Sequence, residues 1–160
     1  MGRCADAKII LDFFEGRLRN SDGVTLSDVV EFSNFELETD HNYIQWLFPN
    51  RRQSRINPDA PLLTSEAIDA MQASSDAIDA FLKGLQMMVS FYDRNGHWLC
   101  RSDHNHLRIT RIIEAVAAIL GKEEAKRFLA FLLDKNISAA SPISPKVIGI
   151  WQNRLSDDPR

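Results

Sequence analysis

Four side chains able to ligate a metal, His97, Cys100, His104 and His106, fall within ten residues, with Asp103 among them. Zinc accepts imidazole, thiolate and carboxylate, so the segment has the composition of a hydrolytic metal site. Its spacing follows no zinc module. His104 and His106 also cannot turn toward one ion from a regular helix, because positions i and i+2 point about 200° apart. A metal site would therefore need the helix to begin after His106. Cys100 beside His97 or His104 could form a thiol nucleophile with its base, but no oxyanion-hole signature accompanies it. A lone cysteine next to Trp98 reads more simply as a small core hydrophobe. The segment thus supports a small metal- or thiol-dependent hydrolase only as the alternative reading; no catalytic residue, metal ligand or cofactor is expected.

A second chemistry lies in the same stretch. His104, Arg108 and Arg111 are spaced i, i+4, i+7 and share one helix face, opposite the aliphatic residues. Two guanidiniums one turn apart grip a carboxylate or phosphate through paired hydrogen bonds, more rigidly than lysines do. The plainer reading is that they grip this protein's own acids, with Glu36, Glu38 and Asp40 as candidates. Upstream, HNYIQWLFP (41–49) places Tyr43, Ile44, Trp46, Leu47 and Phe48 almost all round a helix, as a buried helix requires. On it His41 and Gln45, one turn apart, leave a narrow polar strip that must find partners. His41, Gln45, Trp46, Arg55, His104, Arg108 and Arg111 are the candidate ligand-binding residues, and Arg51 and Arg52 could add to one anion-binding patch.

The elements that must position these groups read as helices. Residues 5 to 16 set Ile9, Ile10, Phe13 and Phe14 on one side and stop at Gly16 before the turn NSDG. Thr25 caps LSDVVEF, with Asp28 completing a capping box. A third helix is expected over about 35 to 48, closed by Pro49. From Pro49 to Leu63 there are three prolines and no periodicity; so long a structureless segment in a compact domain tends to be functional or disordered. Thr64 caps a helix to about Ala73. Ser75 opens a longer one whose two apolar stripes, one with Ile78, Phe81, Leu82 and Leu85 and the other with Ala77 and Gly84, make it central. Further helices follow over 104–120, ended by Gly121, over KEEAKRFLAFLLDKN, and from Ser144–Pro145 to about 155. Period-two alternation is absent beyond four residues. The fold class is all-α: a single-domain irregular bundle of about seven helices over residues 1–160.

Length and charge exclude several classes. At 160 residues the chain buries roughly 68–70% of its unfolded surface without a staple. Two cysteines, Cys4 and Cys100, make no disulfide scaffold, and MGRCADAK opens no signal peptide, so a reducing cytoplasm is expected. No apolar run spans a bilayer. Asp6 breaks the myristoylation pattern. A net charge of −3 argues against nucleic acid as partner.

DHNYIQWLFP at 40–49 and DHNHLRITRII at 103–113 both begin Asp-His-Asn before a helical run. This pair, in that order, resembles the conserved region of the opioid growth factor receptor family. NPDAPLLT (57–64) and MMVSFYD (87–93) sit where that family carries its own "PLT"-like and "FYG" segments. The resemblance covers roughly residues 10–135, with the C-terminal helix, about 145–155, outside it. Asn50 stands where leucine is common, and Asp93 where glycine follows Phe-Tyr. In the animal members this region is associated with binding the enkephalin peptide and restraining growth; the chain itself has the compact form expected of a microbial member. The resemblance implies a binding or interaction module, with a peptide or small anionic ligand, or a protein partner. A purely structural, oligomerising domain is the third reading.

Overall fold

The computed structural model describes residues 2–55 and 57–156, with side chains from Ala5 onward; the Cys4 side chain lies outside the described residues. Nine helices and no strand form among them. The chain divides into two compact units, Met1–Met88 and Val89–Arg160. The boundary falls inside the long helix α6, Ser75–Arg94.

The first unit contains α1 (Gly2–Phe14), α2 (Leu26–Val29), α3 (Asn34–Thr39), α4 (Tyr43–Leu47), α5 (Ser65–Gln72) and most of α6. Its helix starts are written in side chains that satisfy orphan backbone donors. Thr25 and Asp28 form a reciprocal capping box on α2, and Ser33 and Glu36 a second on α3. Thr64 Oγ1 accepts from the Ala67 amide to start α5. Ser74 starts α6 by accepting from the Ala77 amide, and its hydroxyl donates to Glu15 Oε1 at 2.5 Å, tying that start to the end of α1. This hydrogen bond, foremost, holds the Glu15 carboxyl below its ordinary pKa.

The core of this unit is aromatic. Phe13 meets Trp46 at 5.3 Å between ring centroids, and Phe81 meets both Phe14 (5.8 Å) and Phe48 (5.7 Å) edge-on. Rings of this size each remove about 150–250 Å² from water, worth roughly 4–6 kcal/mol at about 25 cal/mol per Å². Residues 43–49 are buried at every position.

Where the sequence suggests one helix over 35–48, the structure has two. Asp40 is extended (φ −79°, ψ 125°). Its Oδ1 accepts from the backbone N–H of Asn42 at 2.8 Å and of Tyr43 at 3.4 Å. This Asx turn ends α3 and begins α4, a competition between side chain and helix that apolar periodicity does not register.

The second unit packs α7 (Asn105–Ile119) against α8 (Lys122–Ser138) and α9 (Pro145–Ser156). Trp98, Ile109, Ile112, Ile113, Val116, Leu132 and Trp151 are fully buried there. Trp98 Nε1 donates to the Tyr92 carbonyl at 3.0 Å, fixing the 95–104 connection onto the end of α6. The buried Asn136 accepts from the Ile143 amide at 3.1 Å and so holds the turn between α8 and α9.

Candidate functional site

The two Asp-His-Asn motifs turn out to be one local device used twice. Asp103 Oδ1 accepts from the Asn105 backbone N–H at 2.8 Å, as Asp40 does from Asn42. Each aspartate closes an Asx turn on the asparagine two residues later, and a helix starts there. Burial alone would push the Asp103 carboxyl up; the backbone and side-chain hydrogen bonds from Asn105, with the charge of His104, outweigh it and leave it below its ordinary pKa. The histidine between is exposed in both motifs.

The asparagines do different work. Asn42 Nδ2 donates to Ser21 Oγ at 3.0 Å, and Asn42 Oδ1 accepts from Asn57 Nδ2, so the head of α4 is tied to the loop 49–63. Asn105 Oδ1 instead accepts from Tyr92 OH at 3.3 Å. Neither Asn42 nor Asn57 appears among the sequence candidates for the site, although Asp-X-Asn spacing was the available signal for the first.

Of the sequence candidates in the first unit, Gln45 and Trp46 are each only 6% exposed. Gln45 Oε1 and Trp46 Nε1 are buried and make no hydrogen bond among the described residues. An orphaned buried acceptor or donor costs about 1–3 kcal/mol, so two on consecutive residues need an explanation. His41 and Arg55 are exposed, as are Arg51 and Arg52.

In the second unit His104 is exposed and lies 3.8 Å from Asp103 Oδ1. Arg108 is buried, at 5% exposure. Arg111 is partly buried; desolvation pulls its guanidinium below its ordinary pKa, against the pull of Glu114. His106 is buried with its Nε2 2.8 Å from the Trp98 carbonyl. A carbonyl only accepts, so Nε2 carries the proton, and Nδ1 makes no hydrogen bond among the described residues. The ring stands edge-on to Trp151 at 5.7 Å, a core position.

The four possible metal ligands are engaged separately: His106 as above, His97 edge-on to Phe91 at 5.9 Å, Cys100 donating to the Ser102 carbonyl, and His104 beside Asp103. Among the described residues no three His, Cys, Asp or Glu side chains are grouped to hold an ion. No described helix is long and apolar enough to cross a membrane.

The arrangement of Asx turn, buried α4 and proline-rich loop falls within a region matched by a family model, that of the opioid growth factor receptor (OGFr) conserved region, over residues 4–96. The chain belongs to the opioid growth factor receptor family. It is similar to opioid growth factor receptor-like protein 1 of Mus musculus, 35% identical over 137 residues, covering 72% of this chain and 29% of that protein. The same protein of Xenopus tropicalis is 35% identical over 125 residues, covering 66% and 24%. The opioid growth factor receptor of Mus musculus is 28% identical over 136 residues, covering 72% and 21%. The chain therefore spans less than a third of the length of these relatives. No solved structure matches it. The family match takes in α1 to α6 and ends before the second Asp-His-Asn.

Proposed function

We propose that this member of the opioid growth factor receptor family is a peptide-binding module that performs no covalent chemistry, working in the cytoplasm. The single observation that supports it is that two consecutive residues of α4 carry unmatched groups among the described residues: a buried acceptor, Gln45 Oε1, and a buried donor, Trp46 Nε1. A peptide backbone offers N–H and C=O groups along its length, the complements of an acceptor and of a donor. A buried polar group without a partner in its own chain calls for one from outside it, a water or a ligand. One relative is named an opioid growth factor receptor and the others receptor-like; that role belongs to the longer protein so named, and only the taking of a peptide is carried to this chain. The unpaired thiol of Cys100 accords with the cytoplasmic placement.

The test reads these atoms directly. Trp46→Phe assigns the Trp46 indole N–H among the resonances of the three tryptophans, and a pool of random-sequence heptapeptides is titrated into the wild-type protein. The Trp46 indole N–H and the Gln45 side-chain amide are expected to shift together. If both stay fixed while the pool reaches millimolar concentration, the reading fails.

A further inference from the structure

The loop that follows α4 carries an unusual electrostatic feature. Residues 1–88 hold 14 acidic side chains against 8 basic ones. In such a surplus a cation finds an acid easily, and several do. Lys8 and Arg17 pair with Asp12, Arg17 also with Glu15, and Arg19 approaches Asp28 at 3.8 Å. Arg51, Arg52 and Arg55 do not. All three are exposed, within five residues of one another in sequence, and none makes an ion pair among the described residues.

The segment that presents them is fixed by its own hydrogen bonds. The Leu63 amide donates to the Asn50 carbonyl at 2.9 Å and closes the base of the loop. Gln53 Nε2 donates to the Pro58 carbonyl at 2.8 Å, and the Asn57 amide to Ser54 Oγ at 3.0 Å. The Asn57 side chain reaches Asn42 at the head of α4, while Pro61 and Leu63 are buried. Guanidiniums left in water on such a frame are ready to form forked hydrogen bonds with carboxylates.

We infer that Arg51, Arg52 and Arg55 form a donor surface that binds acidic side chains, so that the peptide taken by this unit is an acidic one. This rests on the peptide-binding reading above and specifies its ligand. The net negative charge of the same unit opposes a long polyanion such as a nucleic acid, because each phosphate beyond those the arginines pair with adds to the repulsion. A short acidic peptide confines its charge to the loop.

Fluorescence anisotropy tests it with labelled heptapeptide pools of net negative, zero and net positive charge, and with single-stranded oligothymidine. Each probe is titrated into the wild-type protein and into Arg51→Glu/Arg52→Glu/Arg55→Glu. The acidic pool is expected to bind the wild type most tightly, with an affinity that falls as salt rises. The triple variant should lose about tenfold to a hundredfold for that pool and leave the neutral pool unchanged. Its thermal melt, with all three changes on the exposed surface, should match the wild type within the effect of surface substitutions. Equal binding of all three peptide pools overturns the acidic preference and leaves the peptide reading standing. Tighter binding of oligothymidine than of the acidic pool also overturns it, in favour of nucleic acid. If no pool binds and the Trp46 resonance stays fixed, the peptide reading fails and the acidic preference fails with it.

Discussion

A methyl group placed on Gly84 would lie 2.5 Å from Leu47 Cδ1 and 3.0 Å from its Cγ. Gly84 is on the α6 face that meets α4, and Leu47 is fully buried, so the isobutyl group has nowhere to go. The glycine costs α6 roughly 1 kcal/mol of helix propensity relative to alanine, and close approach is its compensation. Gly84→Ala should therefore destabilise: overpacking of about 1–3 kcal/mol outweighs the propensity gained. In urea melts the double variant with Leu47→Ala should lose less than the sum of the two single losses, because the smaller side chain makes room. A more stable Gly84→Ala would show that α4 and α6 are not packed this tightly.

The same pair shows what the sequence could and could not reveal. The buried character of α4 is legible, because Tyr43, Ile44, Trp46, Leu47 and Phe48 go almost all round the helix and leave only a narrow polar strip. The Thr25 box, the Thr64 cap and the Pro145 start are legible too, since a cap needs only neighbours in sequence. The break at Asp40 is not: its side chain competes with the helix through an Asx turn, and apolar spacing runs on unchanged. Leu82 fits an inward stripe of α6 by spacing but is 42% exposed, since spacing fixes which residues share a face and not how far a neighbour covers it. The orphaned atoms of Gln45 and Trp46 could not be read at all, since lacking a partner is a property of tertiary surroundings.

Ala140 follows α8 at φ +67°, in the left-handed region where a Cβ crowds the backbone. Helices commonly end on such a residue, and glycine is the usual occupant. Ala140 is exposed and contributes little packing. Ala140→Gly should therefore raise the stability by roughly 0.5–1 kcal/mol, the strain relieved exceeding the added freedom of the unfolded chain. A lower denaturation midpoint for this variant would mean that the turn holding Asn136 and Ile143 depends on the alanine methyl.

Arg108 and Arg111, one turn apart, should respond differently to truncation. A guanidinium as buried as that of Arg108 must be held by partners, and removing it strands them at a cost of about 3–5 kcal/mol. Arg111 is partly exposed, so water takes up some of what its removal exposes. Arg108→Ala should lose clearly more stability than Arg111→Ala in denaturant melts. A silent Arg108→Ala would remove any architectural role and favour its service to a ligand.

Acid should weaken the fold through its caps. The Asp28 carboxyl is held below its ordinary value first by the Thr25 backbone N–H at 2.9 Å, and that of Glu36 by the Ser33 backbone N–H at 2.7 Å. At Asp103 burial works the other way, but the Asn105 hydrogen bonds and His104 prevail. All three therefore bind a proton more readily in the unfolded chain, whose values are near 3.8 for the aspartates and 4.5 for the glutamate. Stability from these groups is complete above those values and is lost as pH falls through the lower, folded ones. The melting temperature should accordingly drop as pH descends below about 4.5. Asp28→Asn/Glu36→Gln/Asp103→Asn keeps an acceptor oxygen at each cap but removes the titration. Its melting temperature should start somewhat lower at neutral pH and fall less steeply in acid; an acid limb as steep as that of the wild type would place the sensitivity elsewhere, with Asp12 and Glu15, whose carboxyls are also depressed, the next to replace.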